Sequence, residues 1–213
     1  MRLTPLIGLV CWALPAAAQQ VSVGGGYALA DYREQADFLH FHGSGPAASL
    51  SVERGRIALR ADGWHLSFDA AGDAAPGLES FTVDEIDLRL GLRMVSTLAL
   101  EAGYLHQAVS PSRAAESFSG LTVGFRGWYS LAPGATVALR TSYVAGNDFT
   151  GGGSAPFGIA LGLSAAYGPG SGRYSVTGDY RFERIDRRTE LNGGRVSVPI
   201  QSSVARVGLA VKF

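Results

Sequence analysis

The sequence predicts an all-β chain, an antiparallel up-and-down transmembrane β-barrel of about ten strands. Three observations carry that expectation. Apolar residues alternate with polar or small ones at a period of two along most of the chain. Connections between the alternating runs are short, then long, in turn. Tyrosines sit at the ends of the runs, on the apolar parity.

The first segment is a leader. "MRLTPLIGLVCWALPAAAQQ" places Arg2 before an apolar run from Leu6 to Leu14, followed by small residues from Ala16 to Ala18. That is the order of a secretory signal peptide, so residues 1–18 are expected to be cleaved near Ala18, leaving 19–213 as one barrel domain. Pro5 and Pro15 break the run, and it is shorter than the ~20 apolar residues of a membrane-spanning helix.

Strands are expected near 21–30, 47–52, 57–68, 83–94, 98–106, 121–129, 136–144, 158–167, 173–183 and 198–213. "EIDLRLGLRM" shows the pattern best. Ile86, Leu88, Leu90, Leu92 and Met94 share one face; Glu85, Asp87, Arg89, Gly91 and Arg93 share the other. "LTVGFRGWY", "TVALRTSY", "IALGLSAAY" and "YSVTGDYRF" repeat it. "RIALRADGWHLSF" departs from it, because Ile57, Leu59 and Ala61 fall on one parity while Trp64, Leu66 and Phe68 fall on the other. A bulge near Asp62 and Gly63, or a hairpin turn there, would explain the change of phase. Loss of a hairpin elsewhere gives the alternative count of about eight strands.

"MVST", "LAPGAT" and "YGPGSG" carry turn chemistry. "REQADFLHFHGSGP", "AAGDAAPGLES", "QAVSPSRAAES", "GNDFTGGGSAPFG" and "RIDRRTELNGG" are expected as long polar loops. In such barrels the short turns are periplasmic and the loops external, and an even strand count returns both chain ends to the periplasmic side.

The charged parity is expected to face the lumen: Arg60, Glu85, Asp87, Arg89, Arg93, Glu101, Arg126, Arg140, Asp179, Arg181, Glu183 and Arg206. Lipid would penalise an Arg by about 2–4 kcal/mol at the bilayer midplane, whereas a lumen supplies partners and water. The aromatic residues form two expected girdles. Tyr129, Tyr167 and Tyr174 flank short turns, while Tyr104, Tyr143, Tyr180 and Phe182 approach long loops. At ~3.3 Å rise and ~40° tilt, the run from Tyr174 to Phe182 spans roughly 20 Å, close to the apolar band of such barrels.

Composition excludes several function classes. The single cysteine, Cys11, lies in the leader, so the mature chain has no disulfide, Cys-based zinc site or thiol nucleophile. With 18 basic and 18 acidic residues, no basic excess points to nucleic acid.

The last residues, "RVGLAVKF", alternate to the end. This stretch resembles the C-terminal signature of outer-membrane barrel proteins, which Arg206, Gly208, Val211 and Phe213 match position for position. In size the chain is similar to the small opacity-type and OmpA-like barrels. The resemblance implies integral residence in the outer membrane, contact with its lipid and lipopolysaccharide, and recognition of the terminal aromatic by the barrel assembly machinery.

The chemistry-bearing residues are sparse. His40 and His42 share a face if extended, with Asp37 nearby, but no third metal ligand is identifiable, so neither metal nor cofactor is expected. His106 could join Ser110, Ser112 or Ser119 and Glu116 in a hydrolytic triad, yet no nucleophile-elbow pattern accompanies it. Asp84, Glu85 and Asp87 supply part of the acidic cluster a barrel protease would need, and Arg89 beside them suggests pairing instead. The expectation is a non-enzymatic barrel with a structural or narrow-pore role. The alternatives are a barrel enzyme acting on lipid A or peptides, and a surface adhesin. A paired charge network, with Glu101 on arginines such as Arg89 and Arg93, would block the bore; a segregated arginine ladder would conduct.

Overall fold

The computed structural model describes residues 19–34, 39–72, 78–111, 117–146, 149–150, 152–169, 172–191 and 194–213; the expected leader lies outside them. Ten strands follow in order: β1 (Gln19–Glu34), β2 (Leu39–Arg54), β3 (Ile57–Ala70), β4 (Phe81–Val95), β5 (Leu98–Ser110), β6 (Phe118–Ala132), β7 (Ala135–Gly146), β8 (Ser154–Tyr167), β9 (Tyr174–Leu191) and β10 (Gly194–Lys212). Each pairs antiparallel with its sequence neighbours, and β1 closes onto β10. The count is ten, and the eight-stranded alternative is set aside. Closure leaves no unpaired edge in lipid, where an unsatisfied peptide group costs several kcal/mol.

The closing seam is tight. Val23 lies opposite Val211, and the Phe213 N–H donates to the Val21 carbonyl at 2.8 Å. A Cβ at Gly208 would stand 2.5 Å from the Gly25 carbonyl oxygen, and one at Gly26 would stand 2.4 Å from that of Val207. Glycine is therefore required at Gly26 and Gly208 for the two strands to approach this closely.

β3 corrects the sequence reading. Its register runs from Ile57 opposite Leu92 to Phe68 opposite Phe81 without a shift, so Asp62 and Gly63 form neither a bulge nor a turn. The parity never changes. Ile57 and Leu59 point outward, while Trp64, Leu66 and Phe68 point inward with Arg60 and Asp62. What changes is the character of the interior, which turns from polar to apolar along the strand.

The same exchange occurs on other strands. On β9, Glu183 and Ile185 are buried inside, whereas Tyr180 and Arg184 are exposed on the outward face, the one aromatic and the other charged. On β1, Leu29 is exposed outside, and Tyr32 is buried inside one step beyond Asp31. Below this level the barrel is apolar outside and polar inside. Above it the barrel is polar outside with an apolar core, as a soluble barrel is. A strand needs only about 9–11 residues to cross the bilayer, yet these run from 12 to 19. Hence residues 184–191 of "RIDRRTELNGG" and much of "REQADFLHFHGSGP", expected as loops, are paired strand in β9, β1 and β2. They keep period two with the faces swapped.

A closed ladder predicts resistance to detergent unfolding. Unboiled protein is expected to migrate differently from boiled protein on a gel, with a β-rich circular-dichroism spectrum. Identical migration, or a helical spectrum, would refute the barrel.

Candidate functional site: the two-tier barrel interior

The lower tier is a charge network carried by the inward positions. Asp87, on β4, is 1% exposed and collects three guanidinium groups. Arg89 donates to its Oδ2 through Nε at 2.9 Å and Nη2 at 2.6 Å. Arg181 approaches the same oxygen at 3.5 Å and Arg140 at 3.9 Å. Arg181 also donates to Glu85 and lies 3.3 Å from Glu183. A second cluster joins Glu53 and Glu101 through Arg60, at 2.6 and 3.0 Å. A third joins Asp179 and Asp62 through Arg206, at 2.8 and 3.1 Å.

Each sequence-predicted lumen charge lies on the inward parity, but the partners differ in part. Glu101 receives Arg60, not Arg89 or Arg93; Arg93 reaches Glu53 at 3.5 Å instead. The inward side chains reach across the lumen, so a residue meets charges two to five strands away that sequence adjacency does not reveal. Arg93 and Arg126 lie against the Trp128 ring, 5.5 and 6.0 Å from its centroid. Glu53, Asp62, Trp64 and Trp128 were missed by sequence reasoning. Asp62 beside Gly63 resembles turn chemistry in the sequence, whereas the parity of Glu53 marks it as inward.

A cavity of about 430 Å³ occupies this tier. Its lining runs from Gln20, Arg56 and Lys212 at the short-turn rim up to Trp64 and Arg181. Arg181 stacks on Trp64 at 4.3 Å, forming the ceiling.

The upper tier is an aromatic plug. Phe68 and Phe81 stack at 4.9 Å with an interplanar angle of 6°. Tyr32 meets Phe41, Phe68 and Phe81 edge-on, at 6.3, 6.2 and 5.8 Å. Leu66, Val83, Leu105, Val109, Phe118, Val144, Ile185 and Ile200 complete the buried cluster. Phe149, from the segment between β7 and β8, packs on Phe118 at 5.3 Å. Gly152, at φ 93°, turns the backbone beneath it, and Arg187 donates to the Gly152 carbonyl at 2.7 Å.

Outside, Tyr129, Tyr167 and Tyr174 are exposed near the short turns, as is Phe213. Tyr104, Tyr143 and Tyr180 are exposed on the outward face toward the loops, and Phe182 is half-buried on that face. Tyr27 joins this upper row, donating to Ser44 Oγ at 3.0 Å. Of the C-terminal residues, Arg206 is a lumen cation, Gly208 lies in the seam, and Val211 and Phe213 lie on the outward parity.

All four histidines point outward above the tyrosines. His65 contacts Asp84 at 2.7 Å and His106 contacts Ser119 Oγ at 2.9 Å. Asp84 thus faces away from the mouth, and Glu85 and Asp87 are committed to arginines. Ser112 and Glu116 lie outside the described residues, as does Asp37. His40 and His42 both contact Asp31, at 2.8 and 3.3 Å.

No family model and no curated protein matches the sequence. Solved structures do match in shape. The outer membrane protease OmpT from Escherichia coli superposes with a TM-score of 0.51 at 12% identity, covering 92% of this chain and 96% of that one. An outer membrane channel from Pseudomonas putida F1 superposes with a TM-score of 0.51 at 11% identity, covering 94% and 97%. The chain has the fold of the small outer-membrane β-barrels. One of these neighbours is a protease and the other a channel, so the shared fold fixes no role.

Proposed function

We propose that this chain is an integral outer-membrane barrel that does not conduct, with a structural role in the envelope. One observation carries the reading: side chains fill the upper tier of the barrel, above a cavity whose lining reaches only the short-turn rim. A bore lined by stacked phenylalanines excludes hydrated ions by dewetting, and the paired arginines below offer no segregated track. The outward apolar band and its aromatic rows support residence in a bilayer, with lipid and lipopolysaccharide as its surroundings. Refolded protein, checked by its heat-dependent gel shift, is expected to remain silent in planar-bilayer recordings. Discrete conductance steps would overturn the reading in favour of a narrow pore.

A second reading, a lipid-acting hydrolase, is favoured by the contact between His106 and Ser119 Oγ, just above the upper tyrosines. A hydroxyl beside an imidazole is the minimum of an activated nucleophile. Release of acyl chains from lipid A by the native barrel, lost in Ser119→Ala, would establish it. Intact lipid A after incubation with folded protein would remove it.

A further inference from the structure

We propose that Asp31, His40 and His42 form a binding site for a divalent metal of the zinc class on the outward face of the β1–β2 hairpin. The hairpin register places Asp31 directly opposite His42, and Arg33 opposite His40. His40 and His42, two residues apart on one strand, therefore point the same way, and Asp31 reaches both from the neighbouring strand. Asp31 Oδ2 lies 2.8 Å from His40 Nε2 and 3.3 Å from His42 Nδ1. One ligand atom from each of the three groups falls within 4.8 Å of the others.

That spacing suits a metal. With metal–ligand bonds of about 2.0–2.1 Å, neighbouring ligand atoms of a tetrahedral zinc sit roughly 3.3 Å apart. The Asp31–His42 distance already matches, and the Asp31–His40 distance must open by about half an ångström once a cation displaces the bridging hydrogen. Arg33 Nε donates to Asp31 Oδ1 at 2.8 Å, which orients the carboxylate and leaves Oδ2 toward the imidazoles. His40 is 15% exposed and His42 64%, so one side is walled and the other admits the ion and a solvent ligand at a fourth position. Two imidazole nitrogens and one carboxylate oxygen favour zinc over calcium or magnesium, which prefer all-oxygen shells. The ligands stand on paired strands above the lipid band, not on a free loop, so the site is held in place before the metal arrives.

The test is isothermal titration of Zn²⁺ into folded, detergent-solubilised protein carrying no polyhistidine tag. One equivalent is expected to bind. His40→Ala, His42→Ala and Asp31→Asn should each weaken binding at least ~10-fold, while a His65→Ala/His106→Ala double variant should bind like the native protein. Electron paramagnetic resonance of bound Cu²⁺ should report two coordinating nitrogens, and one in His42→Ala. The gel shift on heating verifies that each variant is folded. Absence of saturable binding, or native affinity in the His40→Ala/His42→Ala double variant, would overturn the site. Native affinity in Asp31→Asn would overturn the three-ligand assignment.

Discussion

Deleting Phe213, or replacing it with Asp, is expected to abolish outer-membrane accumulation while leader processing continues and the mature chain is degraded in the periplasm. The finished barrel offers little reason for so large an effect. Phe213 is 72% exposed, and its anchoring hydrogen bond is made by its backbone to Val21. A charge near the bilayer interface costs only about 0–1 kcal/mol, and an acidic one less than that. Loss of stability therefore predicts a modest drop in yield; loss of an assembly address predicts near-complete absence. Lys212→Ala changes the adjacent residue, which is on the lumen parity at the rim, and should assemble nearly normally. The measurement is outer-membrane yield of the variants at matched expression. Equal yields would make Phe213 an ordinary strand residue.

Asp87→Ala should be the most damaging single change in the lumen. It removes the carboxylate that Arg89, Arg140 and Arg181 share in a site 1% exposed. Stranding one buried partner typically costs about 3–5 kcal/mol, and here the remaining cations also repel one another. The expected readout is a lower temperature at which the folded gel band disappears. Glu190→Gln is the control. Its contact with Arg195 spans 4.0 Å between groups 74% and 89% exposed, and it should change nothing measurable. If Asp87→Ala melts with the native protein, the network does not hold the wall together.

Strand number, order and the lumen parity were legible because period two is set by backbone geometry and survives any change in what the faces meet. Less legible was the level at which the faces exchange roles. In "RIALRADGWHLSF" that exchange looks like a slip of phase, since apolar residues move from Ile57 and Leu59 to Leu66 and Phe68 while the register holds. A count of apolar residues on one parity cannot distinguish a bulge from a change of surroundings. For the same reason the polar runs at the far ends of the strands look like loops in the sequence, although on β9 the alternation continues through Ile185 and Arg187. Contacts around the circumference were hidden more deeply. Arg206 and Asp62 meet across 144 residues of sequence, and Arg60 and Glu101 across 41. Asp31, which completes the histidine cluster, is not legible in the sequence, because it meets His40 and His42 only through the hairpin register, whereas Asp37 is merely near them along the chain.

The plug above a cavity with one rim makes the interior a vessel with a single door. In the non-conducting reading proposed above, whatever enters between the short turns would have to leave the same way, so occupancy would follow the concentration on that side alone and no gradient across the membrane would drive passage. Residence inside is then a matter of affinity for arginine and tryptophan walls, not of flux. On the opposite side the described residues offer a packed aromatic lid, which in the same reading would deny entry to agents that use an open bore as a path into the cell.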